Sequence, residues 1–267
     1  NDTAIKSQAE QAAIKGAHII DGAALVKFLH WLDENAPGES EISIAEKLKA
    51  FREEHTAFKG DSFPTIAGYG ENGAIVHYRA NEQTNTVIKG SGLLLVDSGG
   101  QYLDGAGGIA GTTDLTRTIA VGTPTSEMKH HFTLVLKGHI ALAGAKFPKG
   151  TKGIEIDERA RKFLKEEGMD YAHGTGHGVG CYMAVHEEAA SISPRGETPF
   201  QPGMLISNEP GYYEEGSHGI RIENLVLVKG DEMLEFETVS FAPIDLNIID
   251  TDMLDQSERE WLNNYHA

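Results

Sequence analysis

The chain has a single cysteine, Cys181, in 267 residues. That excludes an intramolecular disulfide framework and a cysteine zinc cluster, and it fits a reducing compartment. A nucleophilic thiolate would need an activating base and exposure, so Cys181, directly after a Gly-rich run, reads as a small buried residue lining a loop. Basic residues are also scarce: 23 Lys and Arg face 40 Asp and Glu, for a formal net charge of -17. Such a field opposes phosphate backbones and anionic lipid, which sets nucleic acid and membrane partners aside. No apolar run approaches the length of a spanning helix, and the polar N-terminal stretch lacks the apolar core of a signal peptide. A cytoplasmic location is therefore expected. Low-complexity tracts and a clear interdomain linker are absent as well, while the 40% apolar content is ordinary for a protein with a substantial core.

What is present begins with helix. Residues 3–34 carry Ile14, Ala17, Ala24, Leu25, Phe28, Leu29 and Leu32 at roughly helical spacing. Ala36-Pro37-Gly38 interrupts the pattern, and Ser43 with Glu46 forms a capping-box signal for a second helix running to about His55. Further helices are expected at about 125–146, 154–167 and 256–265. Strands are expected at 92–97, 114–121, 203–209, 220–228 and 232–239. Helices followed by a strand pair thus occur twice, once with Asp97 and Asp114 and once with Glu209 and Glu223. The layout predicts an α+β fold of two similar halves facing each other across a cleft.

Five residues in Gly-rich or β-patterned stretches then stand out: Asp97 in LLLVDSGG, Asp114 in TTDLTRT, His177 in HGTGHGVG, Glu209 in SNEPGYY and Glu223 in GIRIENLVLV. Four carboxylates and one imidazole offer mostly hard donors, suited to Mn²⁺ and able to hold Zn²⁺, Co²⁺ or Fe²⁺. Two such ions close together activate a water and clamp a substrate oxygen, so the set reads as a two-metal hydrolytic site. Each residue alone has a plainer explanation: a turn after a strand for Asp97, a loop-to-strand polar residue for Asp114, a strand end for Glu209. For Glu223 the alternative is a salt bridge with Arg221, two residues away on the same strand face. Five independent accidents of this kind are a poorer account than one site.

Four glycines in eight residues argue against helix for HGTGHGVG. An extended chain there places His173 and His177 on the same side. The HExxH zinc motif shares only the histidine spacing, lacking both the Glu and the helix, and is rejected. His77 and His186 follow short apolar runs and, on the residues alone, read as ordinary strand-end histidines. His18, His30, His55, His130, His131, His139, His218 and His266 read as solvated or packing residues.

Together these motifs resemble the M24 metallopeptidases of the pita-bread fold, and within them the aminopeptidase P (Xaa-Pro aminopeptidase) group. The resemblance runs through HYRA (77–80), LLLVDSGGQYLDG (93–105), TTDLTRT (112–118), HGTGHGVG (173–180), VHE (185–187), SNEPGYY (207–213), GIRIENLVLV (219–228) and WLNNYHA (261–267). It implies two pseudo-symmetric leaves around a central site, with Asp97 a terminal ligand of one ion, His177 and Glu209 ligands of the other, and Asp114 and Glu223 bridging both. It also revises two histidines: His77 is expected to line the substrate site, and His186 to hold the developing oxyanion. His173, Tyr213 and Arg221 match supporting positions. The implied reaction is release of the first residue from a peptide with proline second, Glu209 carrying a proton to the prolyl nitrogen. Two divalent ions, Mn²⁺ first among them, and a peptide partner are implied, and a homodimer is compatible.

Two departures qualify the pattern. Residues 106–111 appear inserted between Gly105 and Thr112; an insertion at a hairpin tip leaves both aspartates in place, whereas a register shift would turn Asp114 away. The domains that precede the catalytic one in such proteins are absent and the first residue is Asn1, so residues 1–267 are expected to be a single pita-bread domain from the C-terminal part of a longer chain. Competing expectations are a prolidase acting on Xaa-Pro dipeptides, another M24 hydrolase, a metal-free pita-bread binding module and a creatinase-like enzyme. The intact ligand set disfavours the last two.

Overall fold

The computed structural model describes residues 4–183 and 185–267. Two helices open it, α1 (Gln8–Asn35) and α2 (Glu41–Glu53), followed by β1 (Phe58–Asp61), β2 (Ile66–Tyr69), β3 (Gly92–Ser98), β4 (Gly100–Asp104), β5 (Ile109–Thr112) and β6 (Leu115–Val121). The second half begins with α3 (Ser126–Ala143), β7 (Lys146–Pro148), α4 (Gly153–Lys165), β8 (Gly176–Gly178) and β9 (Glu187–Ile192). It continues with β10 (Leu205–Asn208), β11 (Gly211–Glu214), β12 (His218–Arg221), β13 (Asn224–Gly230), β14 (Met233–Thr238) and α5 (Gln256–His266).

Each half packs a helix pair on antiparallel sheet. In the first, the sheet β2-β3-β6 shares a core with both helices through Leu25, Phe28, Ile44, Leu48, Leu94 and Val96. In the second, the sheet β7-β14-β13-β10-β8-β9 packs around Phe147, Phe200, Ile206, Val226 and Phe236. A third cluster, including Leu93, Phe132, Ile220, Ile222 and Leu262, spans β3, α3, β12 and α5. The expected two-half α+β architecture is therefore present.

The element boundaries depart from expectation where side chains cap the backbone. α1 starts at Gln8 because Ser7 accepts from Glu10 N–H while Glu10 reaches back to Ser7 N–H. The chain before it is extended, Ile5 bridging Met204, and Thr3 of the expected helix lies outside the described residues. α2 starts a turn earlier than Ser43: Ser40 is its N-cap, and Ser43 occupies the third position and closes the box. The expected strand 220–228 is two strands in different sheets, β12 pairing with β11 and β13 with β10 and β14. The break falls on Ile222-Glu223. There Glu223 pairs with Thr116 of the other half through mutual backbone hydrogen bonds of 3.3 and 3.1 Å.

The inserted segment is less of a loop than it looked. Ile109, Ala110 and Gly111 pair with Asp104, Leu103 and Tyr102, so only residues 105–108 form the hairpin tip. The neighbouring register is intact, with Asp97 opposite Thr116. Cys181 is half-buried, its Sγ 3.7 Å from Ala110 O.

Several histidines read as solvated or packing residues are buried. Burial holds the His18 imidazole down to about 4, against an opposing pull from Asp21, and His139 down to about 3, with Arg117 adding to the effect. Their folded values lie below the unfolded value, so the unfolded chain binds more protons as pH falls below about 6.5. Their contribution is complete above that pH and is lost on acidification, at about 1.4 kcal/mol per pH unit for each group. Urea unfolding at pH 7 and pH 5 tests this. A His139→Asn variant should lose about 2 kcal/mol less stability between the two pH values than the unaltered chain; identical losses would reject the assignment.

Candidate metal centre

The five candidate ligands come from five segments. Asp97 ends β3, Asp114 links β5 to β6, His177 sits in β8, Glu209 follows β10, and Glu223 sits between β12 and β13. β8 pairs with β10 through Gly178 and Ile206, and the Glu209 N–H donates to Thr175 O at 2.8 Å, so His177 and Glu209 are held side by side. Gly176 allows this approach, because a Cβ there would collide with the Ser207 carbonyl. From the other half, β3 and β6 deliver Asp97 and Asp114. The Thr116–Glu223 bridge then joins the halves at the base of the cleft.

These residues line one cavity of about 280 Å³, together with Phe63, Pro64, Ile66, Val76, His77, Arg79, His173, His186 and Arg221. His177 Nε2 lies 3.1 Å from Asp114, 3.7 Å from Glu209 and 4.0 Å from Glu223. Donor atoms of Asp114, His177, Glu209 and Glu223 all lie within 4.8 Å of one another. Asp97 meets Arg221 Nη2 at 2.8 Å. A larger groove of about 430 Å³, lined by Leu29, Leu94, Arg117 and Pro243 among others, gathers no such cluster of donors among the described residues.

The electrostatics of the cluster are those of crowded carboxylates. Burial and the neighbouring Glu223 push Asp97 up to about 7, against the opposing pull of Arg221. Burial and mutual repulsion also raise Asp114, Glu209 and Glu223, Glu209 most of all. His177 is raised to about 9: burial opposes the cation, but Asp114 and Glu223 outweigh it. The group cannot carry its full negative charge at neutral pH without positive charge in its midst. Asp97 Oδ1 and Glu223 Oε2 are moreover buried with no hydrogen-bond partner, which is costly unless something else fills their lone pairs. The donor set fits divalent cations on both counts.

Neighbouring groups fix the orientation of the donors. His177 Nδ1–H donates to Gly178 O at 2.9 Å, so Nε2 faces the carboxylates, holding a proton between them in the metal-free cleft and able to give it up to a cation. Thr116 Oγ1 donates to Glu223 Oε1 at 2.7 Å. Arg221 Nη1 donates to Tyr213 Oη at 2.8 Å, and Tyr213 donates in turn to His173 Nε2 at 2.7 Å, whose Nδ1–H meets Gly174 O at 2.9 Å. Burial lowers His173 to about 4 and keeps it a neutral acceptor. Arg221 thus links Asp97 to the cavity wall.

The two remaining histidines sit at the cavity surface. His77 is exposed on its lining, and His186 is exposed with its ring centroid 4.4 Å from that of His177. Neither lies in a strand, contrary to the reading of their apolar flanks: His77 follows a short 3₁₀ turn and His186 precedes β9. Nine of the ten sequence-derived candidates therefore line one cleft, and the tenth, Tyr213, bonds to two of them, His173 and Arg221. The residue reading missed the apolar wall of Phe63, Pro64, Ile66 and Val76 and the guanidinium of Arg79. Arg79, two residues from His77 in HYRA, carried a signal; the apolar wall carried none.

Comparison with known proteins places this geometry in a family. Residues 12–230 match the model of metallopeptidase family M24, and residues 232–267 match that of the C-terminal region of peptidase_M24. A probable Xaa-Pro aminopeptidase P from Laccaria bicolor is 47% identical over 279 residues, covering 99% of this chain and 42% of that protein. One from Fusarium vanettenii is 46% identical over 280 residues, covering 99% and 44%. Among solved structures, X-prolyl aminopeptidase from Caenorhabditis elegans, described as a cytosolic enzyme with a di-nuclear active site, matches with a TM-score of 0.92 at 38% identity, over 99% of this chain and 44% of that one. Xaa-Pro dipeptidase from Bacillus anthracis matches with a TM-score of 0.79 at 31% identity, over 91% and 64%. The chain spans less than half the length of these curated relatives, at 42% and 44%. Its two leaves form the pita-bread fold of these peptidases, and the chain belongs to metallopeptidase family M24.

Proposed function

We propose that the chain is the catalytic domain of a metal-dependent Xaa-Pro aminopeptidase, releasing the N-terminal residue from peptides with proline in second position. The observation that carries this reading is the convergence of Asp97, Asp114, His177, Glu209 and Glu223 on one cleft in a chain 38–47% identical to proteins named for that activity. In this reading two ions would be held by the five residues, one by Asp97 and the other by His177 and Glu209, with Asp114 and Glu223 available to both. Mn²⁺ is the ion best matched to an oxygen-rich set, with Zn²⁺ or Co²⁺ as alternatives. Two such ions, when bound, supply Lewis acidity and an acidified water.

The protein groups do the rest. Glu209, facing the cavity, takes a proton from the attacking water and delivers it to the prolyl nitrogen. That delivery is essential, because the prolyl ring nitrogen is a tertiary amide with no hydrogen of its own and leaves only once protonated, as a secondary amine. His186, beside His177 on the open side, donates to the oxyanion, and burial, His177 and His77 hold its imidazole below the ordinary value against the pull of Glu223. His77 lines the approach of the substrate. The Arg221–Tyr213–His173 chain positions Asp97 and the cavity wall. Phe63, Pro64, Ile66 and Val76 offer an apolar surface for the proline ring. The partner is a peptide, a homodimer is compatible, and we place the chain in the cytoplasm.

The second reading is a prolidase, supported by the likeness to Xaa-Pro dipeptidase from Bacillus anthracis. Product analysis with a tripeptide Xaa-Pro-Yaa beside the dipeptide Xaa-Pro separates the two. The aminopeptidase reading expects free Xaa and Pro-Yaa from the tripeptide; cleavage of the dipeptide alone would replace it with the prolidase.

A further inference from the structure

Side chains alternate along β11, so Tyr213 and Glu214 leave the strand on opposite faces. Tyr213 serves the carboxylate cleft, whereas Glu214 belongs to a separate group. A ring nitrogen of His131 and carboxylate oxygens of Glu127 and Glu214 lie within 4.8 Å of one another. Glu127 and His131 are one turn apart in the first turns of α3, the spacing that puts two side chains on the same helix face. Among the described residues, neither Glu127 nor Glu214 has a lysine or arginine partner to neutralise it.

His131 is only 7% exposed and its bonding is one-sided. Its Nδ1 lies 3.0 Å from His218 Nε2, and His218 Nδ1 lies 2.7 Å from Ser217 Oγ. Two neutral tautomer pairs satisfy this chain, because Ser217 Oγ can donate or accept, and in the pair where His131 Nδ1–H donates to His218 and His218 Nδ1–H donates to Ser217 the His131 Nε2 carries a lone pair. In either pair His131 Nε2 makes no hydrogen bond among the described residues. Burial favours the neutral rings by holding both histidines below the ordinary value. An imidazole fixed through one nitrogen and bare at the other is the arrangement in which histidine binds metal. Glu214 is steadied likewise, because Tyr212 donates to one of its oxygens and leaves the other available. The Tyr212 ring meets that of His131 edge-on at 4.6 Å.

We propose that Glu127, His131 and Glu214 form a peripheral site for a zinc-like divalent cation, with His218 orienting the imidazole. The site ties the start of α3 to the β11–β12 hairpin. Three protein donors and a water complete a tetrahedral set, and donors around Zn²⁺ sit roughly 3.4 Å apart, so modest closure from the observed spacing suffices. The α3 dipole places about half a positive charge near this end, and the two carboxylates outweigh it. Imidazole favours Zn²⁺ over Mn²⁺, which separates this site from the oxygen-rich cleft. The cation would brace the hairpin that carries Tyr213 and Arg221.

The test uses the full chain with Asp114→Asn and Glu223→Gln, so that its outcome does not depend on the peptidase reading. Zinc binding is measured by competition with a chromogenic chelator, and melting is followed with and without Zn²⁺. One Zn²⁺ per chain and a raised Tm are expected. Affinity should fall by more than about 100-fold on adding His131→Gln and by about 10-fold on adding His218→Phe. Undiminished binding in the His131→Gln variant, or none before it is introduced, would overturn the proposal. Crystals of the unaltered chain soaked in Zn²⁺ avoid any folding defect: anomalous scattering at the zinc edge should place an ion between the three side chains, and its absence there beside an occupied cleft would overturn the proposal equally.

Discussion

Replacing Glu209 by Gln is expected to lower kcat on a Xaa-Pro-Yaa peptide by about 10²- to 10⁴-fold, the range for losing a general acid-base. The amide keeps the size of the side chain and one oxygen donor but cannot carry the proton that the prolyl nitrogen needs. The variant should remain folded. Glu209 is one of four carboxyl groups crowded into the cleft and is pushed well above its usual range by burial and Glu223. Removing its charge relieves repulsion, so the metal-free Tm should not fall. Substantial turnover in a Glu209→Gln protein with the metal content of the unaltered chain would count against the assigned role. Loss of metal as well as turnover would instead make Glu209 chiefly a ligand.

The largest expected loss of stability lies elsewhere, at Arg52. This side chain is fully buried in α2, its Nε 2.8 Å from Asp21 Oδ1 of α1. Tyr102 Oη donates to the same oxygen at 2.6 Å. Burial opposes the Asp21 charge, but Arg52 and Tyr102 overcome it and hold the carboxyl below its ordinary value. An Arg52→Met variant leaves Asp21 buried without its countercharge, which costs about 3–5 kcal/mol. That corresponds to a fall in Tm on the order of 10 °C for a chain of this size. Adding Asp21→Leu should restore most of the loss, because replacing both members of a buried pair with apolar groups is far milder than removing one. The sign with pH follows from the depressed carboxyl: the stabilisation is complete above the unfolded value near 4 and is lost as pH falls through the lower folded value. A single variant within about 1 kcal/mol of the unaltered chain in urea unfolding would reject this account.

The sequence made the helices legible because their apolar spacing is regular. α1, α3, α4 and α5 fall within a few residues of expectation at most ends. The short strands around the cleft were not legible, because β1, β4, β5, β8 and β11 run three to five residues, too few to show a period of their own. The break at Ile222-Glu223 was invisible as well. The run GIRIENLVLV alternates as one strand, and only its two different sheet partners divide it. At the site, the five candidate ligands stood out as residue types in Gly-rich or strand-end contexts. His77 and His186 did not; only resemblance singled them out, since an exposed histidine at a cavity lip leaves no periodic trace. His131 and His218 were read as solvated or packing residues because their pairing joins α3 to a hairpin 87 residues away.

The central claim is metal-dependent cleavage before proline, and the most direct measurement is turnover of a Xaa-Pro-Yaa tripeptide by metal-stripped protein before and after addition of Mn²⁺. The account predicts negligible release of Xaa from the stripped protein and recovery as the metal content approaches two ions per chain, with an Asp114→Asn variant failing to recover. Undiminished turnover without metal, or full recovery in the Asp114→Asn variant, would contradict it.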